Sequence, residues 1–499
     1  MQAGNEAARW LRLCHDIDCS SADGKPMQLW QQINQWFPHV WLAVSVLWGV
    51  YILMLCIWII MQKREAAATL SWIFSLAFLP VIGFVVYHFL GPQRIRRQQS
   101  RRLRSRALLA KPERADSLDA PSALSVLAEA STDFAASSAQ TAELLIGGNA
   151  CFSAMLKAIS LAKKHVHLEY YIFDPDITGT LFRDALIERA MQGVTVRILL
   201  DAIGSASLGE TFLKPLRDAG ADVVFFHRTR IRWRGLMKPK LNLRSHRKIL
   251  VVDGVAGFTG GINITDDENE AVNSDAYRDL HVAVSGDVVR WLQLAFLEDW
   301  VYAGKRLPKE SELFGEHSSA KLKAQIIPSG PDSQWESIHR AKVFAISNAR
   351  HRVWLATPYF VPSESGRMAL ISAALRGLDV RLLVPDKSDS RLVDAAARSY
   401  FDDLLAAGVK IFCYPRMLHT KALLVDEETL ILGSSNFDNR SFRLNFELCI
   451  LLEDRALAAD LAKILDDDIL KSRRVEKLTA SSFMNRLSEA FARLLSPLL

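Results

Sequence analysis

The chain has 499 residues, half of them hydrophobic, and a formal net charge of +6. That length exceeds one ordinary domain, and the apolar share is high for a water-soluble chain, so membrane spans come first. Cys14, Cys19, Cys56, Cys151, Cys413 and Cys449 are scattered with no CxxC pair, which argues against a zinc site or disulfide framework and for a reducing compartment.

Residues 1–39 read as an N-terminal cytoplasmic segment without an assigned role. Residues 40–61 then run without a charge, and 69–90 do so apart from His88. Each stretch is long enough to cross a hydrocarbon core of ~30 Å as a helix. Two such runs joined only by "QKREAAA" predict a transmembrane hairpin. The first run starts late and lacks a small-residue cleavage site, so it is not a cleaved signal. The flank "GPQRIRRQQSRRLRSR" carries seven arginines between 94 and 106. The positive-inside rule then places both flanks, and the large C-terminal part, in the cytoplasm. The same arginines suit anionic headgroups, at about 1 kcal/mol each near the surface. Residues 91–142, basic and then rich in Ala and Ser, read as flank and linker.

From 143 onward the chain repeats itself. "HVHLEYYIFDP" (165–175) resembles "HRVWLATPYFVP" (351–362), "QGVTVRILLD" (192–201) resembles "RGLDVRLLVPD" (376–386), and "AGADVVFF" (219–226) resembles "AGVKIFCY" (407–414). Short apolar runs bounded by Gly, Pro or Asp predict strands, and the segments between the first two pairs carry helical spacing. The expected fold class is α/β: two similar halves, 143–325 and 326–480, with mixed, mainly parallel sheets. A last segment, 481–499, reads as an amphipathic helix for the membrane interface or for docking on the domain. The first half carries a surplus in "HRTRIRWRGLMKPKLNLRS" (227–245), whose seven Lys and Arg beside Trp233, Leu236 and Met237 suit a membrane-contact lip or an ordinary solvated loop.

The chemistry-bearing pattern also occurs twice. "SHRKILVVDGVAGFTGGIN" holds His246, Lys248 and Asp253, and "LHTKALLVDEETLILGSSNFD" holds His419, Lys421 and Asp426. In an extended chain His and Lys two apart share a face. Lysine supplies a point charge for a phosphate oxygen, and histidine attacks when neutral or donates a proton when charged. The Asp has the opposite parity, so it more plausibly fixes its partner motif or the following turn than touches substrate directly. The small residues that follow (Gly260, Gly261; Gly433, Ser434, Ser435) let backbone N–H groups approach an anion, and Asn263 and Asn436 add side-chain donors. Asp279 in "YRDLH" and Glu447 in "RLNFELC" follow the motifs at comparable places. Each is either an orienting partner behind a motif histidine or a structural carboxylate.

The paired HxKxxxxD motifs resemble those of the phospholipase D superfamily. "FTGGIN", "YRDLHVAVSGDVV", "FLEDW", "TPYFVP", "GSSNFDNRSFRLNFE" and the apolar N-terminal pair are similar to bacterial cardiolipin synthases in particular. The long basic insert before His246, and Thr420 where Ala is common, depart from the family without touching either triplet. The resemblance implies a duplicated phospholipase D-like fold and an active site between the halves, with His246, Lys248, Asp253, His419, Lys421 and Asp426 catalytic. Gly261, Asn263, Asp279, Ser434, Asn436 and Glu447 would bind phosphate or support. It implies no metal or cofactor, and an inner-membrane enzyme acting on the anionic lipids phosphatidylglycerol and cardiolipin, not nucleic acid. One histidine would become a phosphohistidine and the other would serve as acid and base. His246 is taken as the nucleophile, although symmetric motifs do not decide the order. A hydrolase, a transferase using ethanolamine, a nuclease and a relic scaffold are the alternatives; the oligomeric state is open.

Overall fold

The computed structural model describes residues 25–61, 66–78, 83–84, 121–226, 243–308, 313–315, 320–476 and 483–494. The chain divides into two units, Met1–His88 and Phe89–Leu499.

In the first unit the helix Lys25–Ile60 contains Val40–Ile60, the one stretch among the described residues that is long and apolar enough to cross a membrane. It starts well inside the segment expected to stand apart as 1–39. Leu47, Leu53 and Met54 are exposed, as side chains facing lipid would be. A second helix, Ala66–Phe78, packs on the first through Leu76 and Trp72 against Ile59, Leu55 and Ile52. The expected second span, 69–90, is described only over part of its length, so the described residues hold one span-length helix and not a complete pair.

The strands of the second unit are β1 (Ser137–Ala139), β2 (Thr141–Ile146), β3 (His165–Tyr170), β4 (Thr195–Asp201), β5 (Asp222–Phe226), β6 (Ile249–Val252), β7 (Ala256–Gly260) and β8 (Leu280–Ser285). They continue with β9 (Leu322–Ser329), β10 (Arg352–Ala356), β11 (Phe360–Val361), β12 (Asp379–Pro385), β13 (Lys410–Tyr414), β14 (Ala422–Val425), β15 (Thr429–Gly433), β16 (Phe437–Asp438), β17 (Glu447–Glu453) and β18 (Arg473–Val475). One sheet has the order β2-β8-β7-β6-β3-β4-β5, and the other β1-β9-β17-β15-β14-β10-β12-β13-β18. Apart from β1 and β18 the two orders correspond strand for strand, which is the duplication in three dimensions.

The expectation of mainly parallel sheets is corrected. Within these two sheets only β3, β4 and β5, and likewise β10, β12 and β13, run parallel, and β11 and β16 form a separate parallel pair. The strands after each HxK motif come back antiparallel. A tight turn can only reverse a strand, whereas a parallel neighbour needs a crossover such as the helices Ile177–Met191 and Glu364–Leu375.

The linker reading of 91–142 is also corrected for its described end. Ala123–Thr132 is a helix capped by Ser122, and β1 pairs with β9 in the second half's sheet. Gln325 ties the two by accepting from Ser125 Oγ at 2.7 Å and donating to the Phe134 carbonyl at 2.7 Å. β9 itself crosses the expected boundary at 325/326.

The helix Val288–Tyr302 is buried nearly all round and forms one core with residues of both sheets, including Trp354, Leu424 and Phe446. The terminal helix Phe483–Leu494 docks on the domain, with Ala492 buried and Arg493 over the Tyr400 ring at 5.0 Å. The basic segment lies outside the described residues from 227 to 242.

Candidate active site

Each HxK pair immediately precedes a strand, His246 and Lys248 before β6 and His419 and Lys421 before β14. Extended backbone alternates, so the residue between them points the other way. Arg247 accordingly goes fully into the interface, donating to Asp299 Oδ2 at 2.5 Å and to the carbonyls of Glu447 and Ser329 at 3.1 and 3.3 Å.

Both motifs dock on the other half by the same pair of backbone bonds. The His246 N–H donates to the Phe446 carbonyl at 2.8 Å, and the His419 N–H to the Arg278 carbonyl at 2.7 Å. This brings each histidine against the carboxylate that follows. His246 Nδ1 lies 3.1 Å from Glu447 Oε2 and 3.1 Å from the Ser434 carbonyl. His419 Nδ1 lies 2.7 Å from Asp279 Oδ2. Oxygen acceptors at both Nδ1 atoms place a proton there and leave Nε2 for chemistry. Glu447 and Asp279 thus each contact Nδ1 of the histidine of the opposite half.

Lys248 Nζ donates to the His246 carbonyl at 2.9 Å, and Lys421 Nζ to that of His419 and to Asp279 Oδ2 at 3.4 Å. Tyr171 stands edge-on to His246, 4.8 Å between centroids, with Lys248 Nζ 5.4 Å from its ring. Burial, with Lys421 across the site, pushes Lys248 down to about 7. Its charge is thus not permanent.

The histidines titrate in opposite directions. Burial pushes His246 down to about 4; Glu447 opposes this and Lys248 adds to it. At His419 burial and Lys421 also disfavour the charge, but Glu268 and Asp279 outweigh them and raise its pKa. Glu268 Oε1 is 3.5 Å from His419 Nδ1.

Asp253 and Asp426 are not placed at the reacting centre, which corrects their grouping with the catalytic residues. Asp253 accepts from the N–H groups of Lys163, Lys164 and His165 at 2.7–2.9 Å, and Asp426 from those of Arg350, His351 and Arg352 at 2.7–3.2 Å. Each fixes the turn that launches the parallel strand beside its motif, from left-handed φ values of 54° and 53°. Five extended residues put them roughly 16 Å from the lysines.

The expected backbone nests are corrected too. The Gly261 and Ser434 N–H groups already donate to Leu280 and Leu448 carbonyls at 2.9 Å. Gly261 is needed because a Cβ there would lie 2.3 Å from the Asp279 carboxylate. Its counterpart Ser434 donates its hydroxyl to Glu447 Oε2 at 2.5 Å. Asn263 donates to Glu268 Oε1 at 2.6 Å and accepts from the Ile172 N–H at 3.3 Å, while Asn436 bonds Asp438.

Tyr171, Glu268 and Lys342 were not found by sequence reasoning. Lys342, buried on the helix Ser337–Asn348, donates to the Ser435 carbonyl at 2.7 Å and holds the second motif's loop. Nothing in the isolated sequence marks it apart from other helical lysines. Glu268, Asp279 and His419 offer ligand atoms within 4.8 Å of one another. Asp279 is already bonded to His419 and faces the Lys421 ammonium, so the trio is better suited to holding a proton than a cation.

Comparison with known proteins agrees with this arrangement. A family model described as cardiolipin synthase, PLD-like domain, matches residues 155–300 and 343–469, and one described as phospholipase D-nuclease N-terminal matches 49–92. The chain is 37% identical over 491 residues to cardiolipin synthase 1 of Bacillus anthracis, covering 94% of this chain and 96% of that one. It is 36% identical over 498 residues to the cardiolipin synthase of Alkalihalophilus pseudofirmus, with the same coverage of 94% and 96%. Among solved structures, the phosphatidylserine synthase of Haemophilus influenzae matches with a TM-score of 0.58 at 14% identity, covering 76% of this chain and all of that one, a likeness of fold. With two buried His–Lys pairs crossed between duplicated halves, and relatives matched over nearly their whole length, this chain belongs to the cardiolipin synthase family of PLD-like proteins.

Proposed function

We propose that this chain makes cardiolipin by moving a phosphatidyl group from one phosphatidylglycerol to another and releasing glycerol. The observation that carries this reading is the pair of histidines, each held at Nδ1 by a buried carboxylate of the other half. That leaves two Nε2 atoms for one phosphodiester. His246 Nε2 attacks phosphorus and the P–O bond to glycerol breaks. His419 gives its Nε2 proton to the departing oxygen. The second phosphatidylglycerol then loses a hydroxyl proton to His419 as its oxygen displaces His246. Lys248 and Lys421 stabilise the charge that builds on the phosphoryl oxygens. Proton transfer of this kind supplies about 10²–10⁴-fold. One phosphodiester is exchanged for another, so the exchange is reversible.

The Val40–Ile60 helix keeps the enzyme at the bilayer that holds both substrates. A hairpin completed by 69–90 would return the chain to the cytoplasmic face of the inner membrane, the side its arginine-rich flank favours. The packing of Ala66–Phe78 and Phe84 against the first helix supports that path.

Purified protein in phosphatidylglycerol vesicles tests the reading beside His246→Ala and His419→Ala. Cardiolipin and glycerol in equal amounts, lost in both variants, is the expected result. Phosphatidic acid in place of cardiolipin would make water the acceptor and the enzyme a hydrolase.

A further inference from the structure

The two halves correspond closely at the site, and the main inequality lies in the segments after the glycines and serines. Aligning Gly260 with Gly433 and Asn263 with Asn436 sets Glu268 opposite Ser441. Glu268 is 2% exposed. One carboxylate oxygen accepts from Asn263 and stands 3.5 Å from His419 Nδ1; the other is buried without a partner among the described residues. His419 therefore faces two carboxylates, Asp279 and Glu268, and one ammonium, Lys421, with the Tyr277 ring 6.0 Å away. His246 faces one carboxylate, Glu447, and feels both ammonium groups. Lys421 is bonded to Asp279. Glu268 adds a second carboxylate against His419, and a proton on His419 answers its charge.

We propose that Glu268 is the positioning residue that makes the two motifs unequal. Its carboxylate commits His419 to holding the proton that the leaving glycerol receives, and leaves His246 neutral for attack on phosphorus. This rests on the reading of the site as a phosphatidyl transferase. Glu268 acts through His419 and exchanges no proton with the lipid. In the first step the His246 Nε2–P bond forms, the P–O bond to glycerol breaks, and the proton goes from His419 Nε2 to that oxygen. In the second step each change reverses with the new alcohol. The opposite titration of the two histidines supports the assignment.

The full chain in phosphatidylglycerol vesicles is compared with Glu268→Gln, which keeps the Asn263 hydrogen bond, and with Glu268→Asp. The Gln variant is expected to lose tenfold or more of its cardiolipin synthesis at neutral pH, with the alkaline limb of its pH profile displaced to lower pH. The Asp variant is expected to keep the wild-type limb. A phosphatidyl-p-nitrophenol donor, whose phenolate leaves without a proton, should give the Gln variant a burst within threefold of wild type. An equal loss with both donors, or an unmoved limb, would overturn the proposal. Wild-type protein quenched during turnover gives a reading independent of whether either variant folds. A phosphatidyl group on His246 is expected, and one on His419 would overturn the assignment. Failure of the wild type to make cardiolipin would instead sink the transferase reading.

Discussion

Asp279 Oδ2 stands 2.7 Å from His419 Nδ1 although 140 residues separate them, and the two belong to different halves of the duplication. Glu447 holds His246 in the same way in the opposite direction. Each motif histidine takes its carboxylate from the other half, so the catalytic unit exists only when the halves are joined.

Removing the Asp279 charge should move the pH profile in a definite direction. The carboxylate favours the imidazolium of His419, whose pKa lies above the ordinary value, so Asp279→Asn lowers it. The alkaline limb of cardiolipin synthesis then shifts to lower pH, with kcat at pH 7.5 falling by about 10²-fold. Glu447→Gln lowers a His246 pKa already near 4. It should slow the reaction by misorienting the ring while leaving the alkaline limb in place. The two pH profiles, measured side by side, check both statements.

Anion binding should take up a proton. Lys248 is pushed down to about 7 by burial and Lys421, and a phosphodiester or tungstate anion beside it raises that value. At pH 7.5–8 the lysine passes from mostly neutral to charged. Calorimetric titration with tungstate in two buffers of different ionisation enthalpy should show net uptake, and Lys248→Met should abolish it.

Arg247 and Asp299, both of the first half, form a fully buried pair. Replacing one partner leaves a buried charge uncompensated, at about 3–5 kcal/mol. Arg247→Ala should lower the urea midpoint sharply, and Arg247→Met combined with Asp299→Leu should recover much of the loss.

Asp253 provides the clearest test of structural against catalytic roles. Asp253→Asn keeps an oxygen acceptor and tolerates the left-handed backbone, so most activity should survive. Asp253→Ala leaves the N–H groups of Lys163, Lys164 and His165 without their acceptor. It should destabilise by about 1–3 kcal/mol, read by thermal unfolding. A loss beyond a hundredfold in the Asn variant, with unchanged stability, would return Asp253 to the chemistry.

The HxK pairs, the repeat around "VRILL" and "VRLLV", and the orienting option for Asp279 and Glu447 were legible because each depends on spacing along one chain. That Asp253 faces away from Lys248 was legible from parity, but not that it would hold the turn at Lys163–His165. Other features depend on what packs against what. Glu268 sits in "TDDENE", a run that reads as a solvated turn, and only the fold buries it. Gly261 looked like room for an anion, but the space is taken by Asp279. The helix Ala123–Thr132 was hidden because its small residues carry weak periodicity, and its partner Gln325 lies 200 residues from Ser125. The short loops after each motif, read more carefully, would have argued for antiparallel returns.

β1 has a consequence for how the protein is made. Ser137 Oγ donates to the Ala324 carbonyl, 187 residues further along. During synthesis this edge strand leaves the ribosome before the entire first half, and its sheet cannot accept it until β9 has followed. The growing chain thus carries an unpaired strand through most of its translation. A gene cut between the halves would separate the second half from its own edge. A circular permutant that starts the second half with residues 121–139 would keep that edge with the sheet it completes.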